Sequence, residues 1–221
     1  MIESLGRRLR MVMGRPVVES TVEAMGAGPL PPELEFIAYA EDCLLRGHIR
    51  MDAERLSDLL NEHDEYQLID VQVEALVGER VIEVKDVVVR RDELLIVHAL
   101  GPRGERTRRI RTRQHPLAMQ VGPYHIRGNL HALPGSDPVT SFRRRKPMVP
   151  LTDAWIEYEQ DGARQRRRAT ALVVNRQQVE WLAEARDDEV DMPDLAHQVM
   201  CGPLVKDFTD EVLGRVRDRR R

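Results

Sequence analysis

The sequence predicts a mainly β protein with short helices, built as two tandem five-stranded small β-barrels with amphipathic helices at both termini. Three observations carry this. Short aliphatic runs, four to ten residues long, are broken repeatedly by turn residues; only one internal segment has clear helical spacing; and the order of these elements recurs in the second half. Among 221 residues, 42% are hydrophobic and 32% charged, which fits a folded chain and excludes disorder over most of its length. No apolar run approaches the roughly 20 residues that cross a bilayer, and the N-terminus lacks the uninterrupted apolar core of a secretory signal, so the expectation is a cytoplasmic protein without a transmembrane segment.

Residues 1–32 open the chain. Ile2, Leu5, Leu9, Val12 and Met13 fall at helical spacing among Arg7, Arg8, Arg10 and Arg15, a basic amphipathic helix that packs on its own domain or, less favoured, touches an anionic membrane surface through residues 1–15. Gly26, Gly28, Pro29, Pro31 and Pro32 then form a linker.

The first barrel is expected over 33–100. The run from Phe36 to Met51 reads as two strands bending near Glu41 and Asp42, the second interrupted by Gly47. Next comes a short helix, which Asp52 could cap, with Leu56, Leu59 and Leu60 on one face. A strand at Gln67–Leu76, a Gly-Glu-Arg turn, and two strands joined at Arg90–Glu93 complete the unit.

An Arg-rich linker occupies 101–116, and the second barrel is expected over 117–186. Three blocks of the first unit return in order. RGHIRM matches RGNLHA with Gly47 and Gly128 displaced by 81 positions; QLIDVQVEAL matches PLTDAWIEYE with Asp70 and Asp153 displaced by 83; VVVRRDELLIV matches LVVNRQQVEWL with Arg91 and Arg176 displaced by 85. A displacement that grows in small steps indicates one duplicated unit with loop insertions. A unit of about 65 residues is too small for two full sheets, and curling into a barrel protects its edges.

This strand spacing resembles the Sm-like barrel: a glycine in a bent second strand, an aliphatic third strand ending on an acidic residue, and a fourth-to-fifth strand hairpin. The RLSDLLN block at Arg55–Asn61 also resembles a signature of an uncharacterised bacterial domain family, and SDPVTSFRRR in the second half has lost it. The resemblance implies only the barrel topology. Where Sm proteins hold RNA with an Asp-x-x-Met-Asn stretch and an Arg-Gly pair, the first unit has His63, Tyr66, Gln67, Arg90 and Arg91, and the second has Asn175 and Arg176 at the pair.

Candidate chemistry is sparse. Cys43 and Cys201 lack any metal or disulfide spacing, and the seven histidines form no HxH or HExxH pattern; no phosphate-cradling glycine loop is present. The chain is therefore expected to be non-enzymatic, with no cofactor and no metal. Arg106, Arg108, Arg109, Arg111 and Arg113 form the candidate patch for phosphate, with Arg143–Lys146 and Arg164–Arg168 as lesser clusters. Arg109 and Arg113 resemble the opening of a PilZ cyclic-dinucleotide motif, without its DxSxxG continuation. Against nucleic acid stand a net charge of −3, an aromatic content of 4%, and a bias of 31 arginines to three lysines that a GC-rich genome alone would produce.

After an acidic loop, the final segment of 187–221 carries Leu204, Phe208, Val212, Leu213 and Val216 as a helical stripe before a basic tail, a candidate interface. The expected function is an interaction or assembly module with a protein partner or a second copy of itself; nucleic acid held by the Arg-rich segment is the alternative, and an enzyme without a recognisable motif the third.

Overall fold

The computed structural model describes residues 31–102 and 110–185. The expected terminal helices, the stripe Leu204, Phe208, Val212, Leu213 and Val216, and linker residues Arg106, Arg108 and Arg109 lie outside the described residues. Five strands of the first half are β1 (Glu33–Tyr39), β2 (Cys43–Arg50), β3 (Glu65–Ala75), β4 (Val81–Arg90) and β5 (Ile96–His98), with helix α1 (Leu56–Glu62) between β2 and β3. The second half repeats the order with β6 (Arg113–Val121), β7 (Tyr124–Ala132), α2 (Pro138–Arg143), β8 (Met148–Gln160), β9 (Ala163–Asn175) and β10 (Val179–Glu184). Strand β6 begins at Arg113, inside the stretch expected to be linker.

Alternation shapes these strands. In β7, Tyr124, Ile126, Gly128, Leu130 and Ala132 are buried and the residues between them are not, so one face enters a core. Helix α1 forms where Leu56, Leu59 and Leu60 meet that core, and all three are buried. Asp52 does not cap it: the chain bends through Ala53–Arg55, the helix begins at Leu56 with Arg55 in the N-cap position, and Asp52 lies instead 3.9 Å from His63 at the far end. Helix α2 is capped, its Asp137 carboxylate accepting from the Thr140 amide at 2.6 Å, with Pro138 opening the first turn.

Each half contains the same irregularity. Pairing shifts register between Arg46 and His48 on β2, and between Arg127 and Asn129 on β7. The facing strands place Asp70 and Asp153 at φ 48° and 47°, a left-handed conformation that Asp tolerates better than most residues. A Cβ on Gly47 would lie 2.9 Å from the Ile69 carbonyl oxygen, and one on Gly128 3.0 Å from the Ala154 Cβ. The glycines let the bulged strand close onto its neighbour, and the bulge bends it.

Strand pairing departs from two closed barrels. The described strands form one antiparallel sheet in the order β10-β6-β7-β8-β9-β5-β1-β2-β3-β4, open at both ends. Closure of the first half would bring β5 back to β4, but β5 pairs with β1 on one side and β9 on the other. Its apolar residues gain more by bridging two cores than by sealing one. One core gathers Phe36, Leu45, Leu60, Leu68 and Val89; the other gathers Leu117, Tyr124, Ile126, Phe142 and Leu151. Among the described residues no helix is long and apolar enough to cross a membrane.

Candidate interaction edges

The junction between the halves combines a short strand ladder with side-chain hydrogen bonds from both sides. Ile96, Val97 and His98 of β5 pair with Val174, Val173 and Leu172 of β9. Backbone bonds from Asn175 to the Leu95 carbonyl (2.9 Å) and from Ala99 to the Ala171 carbonyl (3.1 Å) bracket this short ladder. The Asn175 side chain, fully buried, donates to the carbonyls of Arg91 and Leu94 at 3.1 and 3.0 Å and accepts from the Gln177 amide. A buried amide is tolerated there because its polar atoms are used. Beside it, the Asn61 side chain donates to the carbonyl (2.8 Å) and accepts from the amide (3.0 Å) of Met148, the residue that pairs with Asn175 between β8 and β9.

Side chains cross in both directions. Tyr39, Leu44, Leu76, Leu95 and Ile96 of the first half belong to the second core, while Met148 and Val173 of the second half belong to the first. Three of the chain's four tyrosines meet here. Tyr39, Tyr124 and Tyr158 pack edge to face with ring centroids 5.3 to 5.7 Å apart. Tyr124 donates to the Ala40 carbonyl at 2.7 Å, and Tyr39 shares a 3.0 Å hydrogen bond with His98. Burial pushes the Tyr39 hydroxyl up to about 12, Tyr158 adding to the shift; burial also pushes Tyr124 upward. His98 is held down at about 4, first by burial and then by the Arg167 and Arg46 guanidiniums. The Cys43 thiol is pushed up to about 12 by burial, then by Asp42, which keeps it protonated and unreactive at neutral pH.

At the two ends of the sheet, the outer sides of β4 and β10 have no neighbouring strand among the described residues. Near the turn, β4 exposes Val81 and Ile82, and Val77 beside them is 80% exposed. Strand β10 exposes Glu180, Glu184 and Trp181, the last at 44%. Trp181 lies 6.4 Å from the His125 ring and opposite Gln120 in the β6 pairing. Gln120 is buried; its side-chain nitrogen donates to the Gly122 carbonyl, but its Oε1 has no hydrogen-bond partner among the described residues.

The arginines predicted as a phosphate patch are not brought together in the described structure. Arg111 and Arg113 are exposed at the entry to β6. The β9 arginines are engaged by their own sheet: Arg164 and Arg166 both meet the Glu157 carboxylate, at 2.6 and 3.0 Å, and Arg166 and Arg168 lie over the Trp155 ring at 4.4 and 5.6 Å. In the Arg143–Lys146 cluster, Arg145 donates to the His131 carbonyl and accepts at its own carbonyl from Arg176, while Arg143 and Arg144 are exposed. Among the described residues no three His, Cys, Asp or Glu side chains group as metal ligands do.

Sequence reasoning missed Tyr39, His98, Tyr124, Tyr158 and Asn175. A signal existed for the tyrosines: in a chain with an aromatic content of 4%, three of them fall within or at the end of strands, in β1, β7 and β8. The arrangement defines an antiparallel sheet with a strand-to-strand joint at its centre and, among the described residues, end strands paired on one side only. No family model, curated protein or solved structure matches the chain.

Proposed function

We propose that the chain is a non-enzymatic, cytoplasmic interaction and assembly module, made of two copies of one Sm-like unit, whose working surfaces are the end strands of its sheet. The observation that carries this reading is the β5–β9 joint. The sheet is already extended there by adding one unit's edge strand to the other's, and the same kind of edge is left open at both ends. The duplication is supported by the shared strand order and by the paired bulges at Gly47 with Asp70 and Gly128 with Asp153. Small barrel-like units are supported by the separate core in each half. The nucleic-acid alternative loses the β9 arginines to Glu157 and Trp155, and keeps Arg111 and Arg113.

Fluorescence anisotropy with labelled duplex and single-stranded oligonucleotides, measured over a salt series, tests the choice. The expected outcome is no binding at about 150 mM salt. A monomeric chain whose nucleic-acid affinity falls steeply with salt, and is reduced by alanine at Arg106, Arg108, Arg109, Arg111 and Arg113, overturns the reading.

A further inference from the structure

We infer that the two free edges are the halves of one interface: β10 of one copy pairs antiparallel with β4 of a second copy, in the register that β5 and β9 use inside the chain. The inference rests on the assembly reading and names its partner. Inside the chain, the fifth strand of the first half meets the fourth strand of the second. The strands left over are the fourth of the first half and the fifth of the second, so repeating the internal step joins copies head to tail.

The register transfers residue by residue through the 85-position displacement. The internal pairs Ile96 with Val174, Val97 with Val173 and His98 with Leu172 become Trp181 with Val89, Leu182 with Val88 and Ala183 with Val87. All six of these side chains are apolar. The next position sets Glu180 against Arg90, an opposite-charge pair across the strands. At the other end Glu184 meets Asp86, a like-charge contact with Lys85 adjacent, which disfavours extending the ladder in that direction.

Backbone donors are available where this pairing needs them. The Arg91 amide bonds inward to Asp64 and the Ala185 amide inward to Pro116, so alternation turns the amides of Val88 and Leu182 outward, as Val173 and Val97 are turned toward each other inside. A second copy also supplies surroundings for two otherwise unexplained groups, the exposed Trp181 and the buried, unpartnered Oε1 of Gln120. Their counterparts, Ile96 and Tyr39, are both fully covered by the internal joint.

Val88→Pro and Leu182→Pro each remove one outward amide while sparing the inward ladder, the placement at which an edge strand accepts proline. Sedimentation velocity of the full chain up to about 100 μM should show wild type heavier than one chain and each variant alone as a monomer. Mixing the two variants should give a one-to-one complex, because each keeps the edge the other lacks. Should a proline variant fail to fold by circular dichroism, Glu180→Arg and Arg90→Glu take its place: each alone weakens association several-fold, and mixing the two single variants, or combining both changes, restores it. A monomeric wild type, or a mixture that stays monomeric, overturns the inference. An assembly that ignores both proline changes also overturns it, and leaves the assembly reading standing.

Discussion

The central joint and the outer edges share one backbone plan and differ in side chains. Around β5, the first half presents Tyr39, Leu44, Leu76, Leu95 and Ile96, all buried in the second core. At the corresponding positions around β10 stand Gln120, His125, Glu159, Glu180 and Trp181. The apolar set gains from permanent burial, whereas a set that is polar except for Trp181 stays soluble when uncovered, as edge strands must to avoid indiscriminate pairing. The difference teaches that one geometry can serve as a fixed joint or a reversible one, depending on whether water must be tolerated between encounters.

The largest test asks whether the joint makes the halves one cooperative unit. Leu59 is buried in the first core, and Leu59→Ala should cost about 2–5 kcal/mol. In calorimetry, a single transition moving down as a whole is the expected outcome; a first transition that moves while a second stays put would break the comparison by showing a loose joint.

Asn175 sharpens it next. Removing a buried amide that bonds two carbonyls across the joint should cost about 2–4 kcal/mol for Asn175→Ala, since each stranded acceptor carries its own desolvation cost. Its counterpart on β4 is Arg90, whose side chain is 40% exposed and pairs with the neighbouring Asp92. Arg90→Ala should change folding stability by less than about 0.5 kcal/mol, measured by denaturant unfolding at a protein concentration too low for association.

The joint also responds to acid. Free His98 would titrate near 6.5, but in the fold it is held at about 4. Between those values the unfolded chain binds a proton that the folded chain refuses, so the contribution is intact above pH 6.5 and lost progressively as the pH falls to about 4. The full span is worth roughly 3 kcal/mol. The groups facing the ring are the Tyr39 hydroxyl and the Arg167 and Arg46 guanidiniums, and no carboxylate is among the causes of the shift. Denaturant unfolding at pH 7 and pH 5 should show more than half of this loss, about 2 kcal/mol, in wild type and a smaller one in His98→Gln.

Much of this was legible in the sequence wherever local chemistry decides it. The i, i+3, i+4 leucines of α1, the alternation within strands, and the repeated glycines and aspartates all mark positions whose neighbours are close in the chain. What could not be read was the choice of strand partner. Three residues of β5 pair with residues about 76 positions away, and nothing in Ile96-Val97-His98 distinguishes sealing its own barrel from bridging to another. The Asp52 cap was misjudged because the buried leucines, not the capping residue, set where the helix begins. Asn175 stands at the position of the Sm-type Arg-Gly pair, and its role depends on carbonyls of Arg91 and Leu94 that only the folded joint brings near it.

The smallest effect separates two tyrosines that pack against each other. Tyr124 and Tyr158 are both buried, with ring centroids 5.6 Å apart. The Tyr124 hydroxyl reaches across the joint to the Ala40 carbonyl, whereas the Tyr158 hydroxyl is buried with no hydrogen-bond partner among the described residues. Tyr124→Phe strands a buried carbonyl and should cost about 1–2 kcal/mol; Tyr158→Phe removes a hydroxyl that bears a desolvation cost with no bond in return, and should be neutral or stabilising by up to about 1 kcal/mol. Both variants keep the ring, so the edge-to-face packing is common to the two measurements and the difference combines the crossing hydrogen bond of Tyr124 with the desolvation relieved at Tyr158. Equal losses in denaturant unfolding would mean that the joint is held by aromatic packing and strand pairing, with the Tyr124 bond contributing nothing, and the contrast with the polar outer edge would then rest on apolar burial only.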